Sequence, residues 1–446
     1  MLYRIFYYLF RLTVRGYFRS VYIKGKEHIP ITGPVIFAPN HTSAFMDPIL
    51  LGTEINRSLY FLSRGDVFRK KFVARMLNWI HMIPIYRKDE SPDDFQKNQD
   101  IFQKCFDHLT KGGTLMIFPE GISKTERRLR PIKTGTARIA LGAEAQNNFA
   151  LNIKIVPIGI NYSNPHHFRS DVFVNFGKPI MVSDYRALFE QDHWAAVEKL
   201  TERLKRELED RVVIIEDERL DRIIRQIEIL YRSKLRDESK PEEKAHQDFY
   251  LSKDIVKAVE FHLRKNPERL SNFEARIANY LKGLKRLGIR DTQVRSSRIS
   301  LNLFWSIVYF ILGFPLFLYG FVFNYLPFKL ADMLVRYLNI REDFVGSIRM
   351  AGGMFIFLIM YIVEAVIVGL STNFWWALLF ILTLYPAGLF TITYLKEYYQ
   401  MRGTLKYIGL FLKKSDLIAR IKTTRAELVK DLEKGRAEFV EQRESI

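Results

Sequence analysis

The chain has 446 residues, 48% of them hydrophobic and 14% aromatic, enough apolar material for more than one structural unit. Its 68 Lys and Arg against 49 Asp and Glu give a net charge of +19, which calls for a polyanionic partner: nucleic acid, an anionic membrane surface or a phosphorylated substrate. One cysteine, Cys105, excludes an intrachain disulfide, and its place in a helical pattern reads as a small core residue rather than a nucleophile.

Residues 1–24 read as an amphipathic helix lying in a membrane interface. Arg4, Arg11, Arg15 and Arg19 fall on one arc, and Leu2, Phe6, Phe10 and Tyr17 on the opposite side, with no acid among them. An ordinary amphipathic helix packed on the following domain is the alternative. Residues 25–183 alternate strand and helix. Apolar or β-branched runs recur at Pro34–Ala38, Leu59–Leu62, Met82–Tyr86, Thr114–Phe118, Lys154–Asn161 and Val172–Phe176. Helix-length stretches lie between several of them: Val67–Ile80, Pro92–Leu109 and Gly135–Gln146. The expected fold class is α/β, a mixed sheet flanked by helices.

Residues 184–300 are rich in Glu, Lys, Arg and Leu and read as amphipathic helices, with Arg236–His246 as a linker or exposed loop. Residues 301–395 form a membrane region of C-terminal transmembrane helices. Leu301–Pro327 and Phe374–Leu395 carry no charge, and Met350–Leu370 is interrupted only by Glu364. Gly313-Phe314-Pro315 suggests that 301–327 is re-entrant or bent. Residues 350–395 read as a helical hairpin. Basic flanks on both sides of it (Lys329, Arg336, Arg341 and Arg349, then Lys396, Arg402 and Lys406) place both ends in the cytoplasm. Residues 396–446 read as a cytoplasmic helical tail.

Four short blocks carry candidate chemistry. Asn40-His41-Thr42-Ser43-Ala44-Phe45-Met46-Asp47 follows a strand, so His41 sits where open α/β sheets place their sites. A carboxylate can hold the imidazole tautomer while the other nitrogen takes a proton. Met82–Tyr86 ends in Arg87, a residue suited to bidentate phosphate contact. Phe118-Pro119-Glu120-Gly121 is followed by Lys124, Arg127, Arg128, Arg130 and Lys133, and a helix begins near Thr134; together these suit an anion. Ile155–Ile160 is an apolar strand that shapes a wall.

These four blocks, in this order over about residues 25–182, resemble the glycerol-3-phosphate and 1-acylglycerol-phosphate acyltransferase superfamily. Two departures, five residues between His41 and Asp47 rather than four and Ile122-Ser123 after Gly121, are similar to the branch containing the fungal glycerol-3-phosphate/dihydroxyacetone-phosphate acyltransferases. The resemblance implies a membrane-bound O-acyltransferase acting on glycerol 3-phosphate, with lysophosphatidate or dihydroxyacetone phosphate as alternative acceptors. It makes His41 the base and Asp47 its orienting partner. It leaves Arg87, Glu120, Gly121, Lys133 and Arg169 as substrate-binding residues. No cofactor or metal is implied, only acyl-CoA or acyl-carrier protein as co-substrate. The partners would be a phosphorylated acceptor, an acyl thioester and the bilayer of a bacterial plasma membrane or endoplasmic reticulum, with no nucleic acid. A non-catalytic membrane scaffold is the remote alternative.

Overall fold

The computed structural model describes residues 2–86, 96, 98–215, 217–235, 241–295 and 303–444. The chain divides into two units, Met1–Ile214 with Asp332–Met354, and Ile215–Ala331 with Phe355–Ile446.

The first unit is built on an eight-stranded mixed sheet. Its elements in chain order are α1 (Leu2–Tyr17), β1 (Ser20–Lys24), β2 (Val35–Pro39), α2 (Met46–Glu54), β3 (Tyr60–Arg64), α3 (Lys71–Trp79), β4 (Met82–Ile85), α4 (Asn98–Thr110), β5 (Thr114–Met116), α5 (Gly135–Gln146), β6 (Lys154–Tyr162), β7 (Asp171–Phe176), β8 (Ile180–Met181), α6 (Arg186–Gln191) and α7 (His193–Glu209). The strand order is β1-β7-β6-β2-β5-β3-β4, with β8 beside β6. β6 runs antiparallel to β7 and β8; the other pairings are parallel.

Alternation along the strands sorts side chains between two cores. Ile36, Leu115 and Ile155 turn towards α4, α5 and α7, where Cys105, Ala140 and Leu200 are buried. Val35, Phe37, Met116 and Val156 turn towards α1 and α2, where Val14, Tyr17, Leu50 and Leu51 are buried. Both faces are covered, which is why the central strands are apolar at nearly every position.

Several expectations shift. Residues 20–24 form the edge strand β1, paired with β7, rather than the end of an interfacial helix. Tyr17, expected on the lipid side of α1, is buried and donates its hydroxyl to Pro165 O at 3.3 Å; the exposed apolar stripe is Ile5, Tyr8 and Leu12. The unit also takes in α6, α7 and residues 332–354, because their apolar residues complete its cores; Met350 is 1% exposed among the α1 and α2 side chains. Its boundaries therefore do not fall at 24, 183 and 301.

The second unit is helical: α8 (Glu218–Leu235), α9 (Pro241–Lys265), α10 (Pro267–Leu287), α11 (Asp291–Arg295), most of α12 (Leu303–Leu338), the later part of α13 (Glu342–Ser371), α14 (Phe374–Lys413) and α15 (Ser415–Glu444). The stretch read as a linker, Arg236–His246, is helical from Pro241 on, and 236–240 lie outside the described residues. Proline at the first helical position needs no N–H, and the acids after it favour a helix start, so polarity there marks a helix N-terminus rather than a loop.

Among the described residues, three helices are long and apolar enough to cross a membrane: Trp305–Leu338, Glu342–Ser371 and Phe374–Lys413. The first carries Pro315 and Pro327 inside one uninterrupted helix, so the chain does not turn back at Pro315 as a re-entrant segment would. A proline removes one backbone donor and bends a helix without having to end it when neighbouring helices hold both halves. Here Asn324 Nδ2 donates to Gly320 O at 2.8 Å and to Leu384 O of α14 at 3.3 Å. α13 and α14 are joined through Thr372 and Asn373, and Asn373 caps α14 by accepting from Trp375 and Trp376 N–H.

Candidate active site

The site is assembled at the carboxyl ends of β2 and β5. β2 is fixed there by Asn40, whose buried side chain bridges to β6: Nδ2 donates to Ile160 O at 3.1 Å and Oδ1 accepts from Ile160 N at 2.6 Å. The next residue is therefore delivered at a defined height above the sheet. His41 Nδ1 lies 2.8 Å from Asp47 Oδ2, and the imidazole stacks on Phe118 with centroids 4.0 Å apart. The ring keeps 17% of its surface exposed, whereas the Asp47 side chain is fully buried. With Nδ1 engaged by the carboxylate, Nε2 is the nitrogen left to take a proton.

Asp47 sits in the first turn of α2, where free backbone N–H groups and the helix dipole favour an anion. Its Oδ2 also accepts from Thr42 N and Ser43 N, each at 2.8 Å, and Oδ1 accepts from Tyr162 Oη at 2.8 Å. Four donors thus fix one carboxylate, and through it one imidazole. Burial, and after it the Asp47 charge, hold the Tyr162 phenol far above its ordinary value, so it remains a donor. Beside them the Thr42 and Ser43 hydroxyls are buried with no hydrogen-bond partner among the described residues.

The second loop is laced to the first. Glu120, 3% exposed, accepts from His41 N at 2.6 Å and Arg130 N at 2.9 Å. Burial pushes its carboxyl up from the ordinary 4.5 to about 7, against the opposing pull of the Arg130 and His41 N–H groups. Lys124 N donates to His41 O at 3.2 Å, and Thr125 Oγ1 to Thr42 O at 3.1 Å. Glu120 thus braces the two loops against each other. Gly121 has φ of 72°, a left-handed conformation that favours glycine. An added Cβ there would stand 3.2–3.4 Å from the Lys133 side chain, so the exposed lysine lies over Gly121 beside the start of α5.

Of the residues expected from sequence, His41, Asp47, Glu120, Gly121 and Lys133 come together. Arg87 lies outside the described residues. Arg169 does not join them. It has φ of 63°, and its Nη1 donates to Gly16 O at 3.3 Å and Phe18 O at 3.0 Å, carbonyls at the end of α1. A cation is favoured there by the helix dipole, so the Arg169 guanidinium caps the end of α1.

Residues 20–161 match the family model described as Acyltransferase. The matched stretch carries both loops of the site. The chain is 22% identical over 399 residues to Glycerol-3-phosphate O-acyltransferase 1 of Saccharomyces cerevisiae, which covers 70% of this chain and 50% of that protein. It is 31% identical over 199 residues to Glycerol-3-phosphate O-acyltransferase 2 of the same yeast, covering 42% of this chain and 25% of that one. A 1-acyl-sn-glycerol-3-phosphate acyltransferase of Bacillus subtilis is 26% identical over 208 residues, 45% of this chain and 92% of the relative. The chain therefore spans half or less of the two yeast relatives' length.

Sequence reasoning about the α/β unit missed Asn40 as the strand-end lock and Tyr162 as a donor to Asp47. Asn40 carried a signal, since an amide directly after an apolar strand must find partners when buried. Tyr162 carried none, because only the β2–β6 pairing brings it near.

Proposed function

We propose that the chain is a membrane-bound O-acyltransferase that moves a fatty acyl group from acyl-CoA or acyl-carrier protein to glycerol 3-phosphate. The observation that carries this reading is the His41 Nδ1–Asp47 contact of 2.8 Å on a part-exposed ring at a strand's carboxyl end. In this reading Nε2 of His41 removes the proton of the acceptor hydroxyl, and the oxygen attacks the thioester carbonyl. The C–S bond breaks, the thiolate leaves, and the proton on the imidazolium is returned to it. Asp47 stabilises the imidazolium without being protonated. A thioester is already activated, so a base and correct placement suffice and no covalent enzyme intermediate is needed.

Lys133 over Gly121 and the N-terminus of α5 supply positive potential for the acceptor's phosphate. Arg87 is proposed to share that role on the strength of its motif. The names of the two yeast relatives favour glycerol 3-phosphate as acceptor. The name of the Bacillus relative supports lysophosphatidate as the second reading. The three long apolar helices fit an integral membrane protein, and the basic flanks of α13 and α14 support a site on the cytoplasmic side. On α3 the exposed Phe72, Met76 and Trp79 share one stripe beside Lys71 and Arg75, which suits contact with an anionic lipid surface.

The test is an acceptor panel with purified protein in lipid nanodiscs. Labelled glycerol 3-phosphate, dihydroxyacetone phosphate and lysophosphatidate are each offered with acyl-CoA and acyl-carrier protein. A lysophosphatidate product from glycerol 3-phosphate is expected; phosphatidate alone would move the assignment to the second acylation, and no acylated product would remove it.

A further inference from the structure

The first turns of α13 belong to the same unit as the sheet, although they lie about 300 residues beyond the His41 loop and run on into an apolar helix. Ser347 is fully buried. Its hydroxyl donates to Ser43 O at 3.2 Å and accepts from Met46 N at 3.0 Å. Those two atoms also bond to each other, Met46 N to Ser43 O at 2.9 Å, so one hydroxyl closes the turn that presents Asp47 to His41. One turn earlier, buried Asp343 accepts a hydrogen bond from Ser123 Oγ, two residues past Gly121 in the second loop. Its carboxylate is held in place by Arg341, through Nε at 3.0 Å and Nη2 at 2.8 Å. Between them Phe344 meets Phe45 edge-on at 5.1 Å. The approach is close: an added Cβ at Gly346 would collide with Pro165 O and the Met46 side chain. Below, Met350 enters the core and Arg349 donates to His166 O.

Three consecutive contacts, from Asp343, Phe344 and Ser347, therefore grip both loops that carry the site. We infer that the base of the membrane hairpin is part of the catalytic apparatus, with Ser347 and Asp343 as positioning residues that fix the His41–Asp47 turn against the Glu120 loop. The inference rests on the catalytic reading above. It adds that a helix continuing into the apolar segment sets the geometry of the proton-accepting pair. A loop held by three contacts transmits sub-ångström shifts, and misplacement of reacting groups by about 1 Å costs on the order of 100-fold in rate.

The test uses the full chain in nanodiscs with S347A, S347T and D343N. In S347A, kcat is expected to fall about 10- to 100-fold with KM for donor and acceptor changed less than about 3-fold, since the hydroxyl touches neither substrate. S347T, which keeps the hydroxyl, should recover most of the rate. Hydrogen exchange of peptide 41–47 should speed up in S347A, and that of peptide 120–125 in D343N, while exchange in the β6 peptide stays unchanged. Unchanged exchange at 41–47 in S347A, or a normal kcat with only a lowered thermal midpoint, would overturn the inference. Absence of transfer by the unmodified chain would count against the catalytic reading instead, and the exchange measurement would still decide whether α13 holds the loop.

Discussion

Buried charge is handled differently in the two units. In the helical unit Asp291 is 4% exposed and is matched atom for atom: Arg425 Nε at 2.9 Å, Arg425 Nη2 at 3.1 Å and Tyr280 Oη at 2.7 Å. Glu228 likewise accepts from Ser252 Oγ at 2.7 Å. These groups satisfy one another and join helices. In the α/β unit Asp47 is just as buried and just as fully hydrogen-bonded, but one of its partners is an imidazole with a second nitrogen and an exposed edge. Burial of a carboxylate alone does not mark a site; a buried carboxylate that orients a part-exposed base does.

The largest effect that can break this comparison is removal of the proposed base. His41→Ala is expected to lower kcat by about 1,000-fold or more while membrane association and folding stay intact, measured by single-turnover transfer and by flotation. In the helical unit, Arg425→Met should leave turnover per folded molecule unchanged. It should lower stability by about 3 kcal/mol, read from denaturant midpoints, because it strands the buried Asp291. If that variant lost activity without losing stability, the division between the units would fail.

Lys133→Ala should raise KM for glycerol 3-phosphate about 10-fold with little change in KM for the thioester, the loss of roughly one charged contact. Arg169→Met, in contrast, should leave both KM values alone and loosen α1, seen as faster exchange at residues 10–18.

Glu120 gives a pH signature. Its carboxyl is pushed up to about 7 in the fold from an ordinary 4.5, so the folded state holds the proton more tightly than the unfolded chain. The stability this contributes is fully present below about 4.5 and is lost as pH rises through about 7. Glu120→Gln should flatten the fall in stability between those values, a change on the order of 3 kcal/mol across the window. Tyr162→Phe should lower kcat by roughly 3- to 10-fold, from losing one of four donors to Asp47.

Much of the α/β fold was legible because its strands are short apolar runs with helices between them; Gly135–Gln146 and the core of each strand from Val35 to Phe176 stand where the pattern puts them. β1 was not, because five residues preceded by Arg19 and ending in Lys24 carry too little periodicity to separate from the helix before them. Within the site, His41, Asp47, Glu120, Gly121 and Lys133 were visible as local motifs at strand ends. The position of Arg169 at the end of α1, apart from the other candidates, was not legible, because a cation near a motif looks the same whether it meets a phosphate or a helix C-terminus. Ser347, Asp343 and Tyr162 could not be read, since serine, aspartate and tyrosine at those positions acquire meaning only through contacts 115 to 304 residues away in sequence.

The most direct test is transfer of a labelled acyl group from acyl-CoA to glycerol 3-phosphate by the intact chain and by His41→Ala in the same nanodiscs. Lysophosphatidate should form with the first and be reduced about 1,000-fold or more with the second. Equal product from both would contradict the role given to His41 and with it the proposed chemistry.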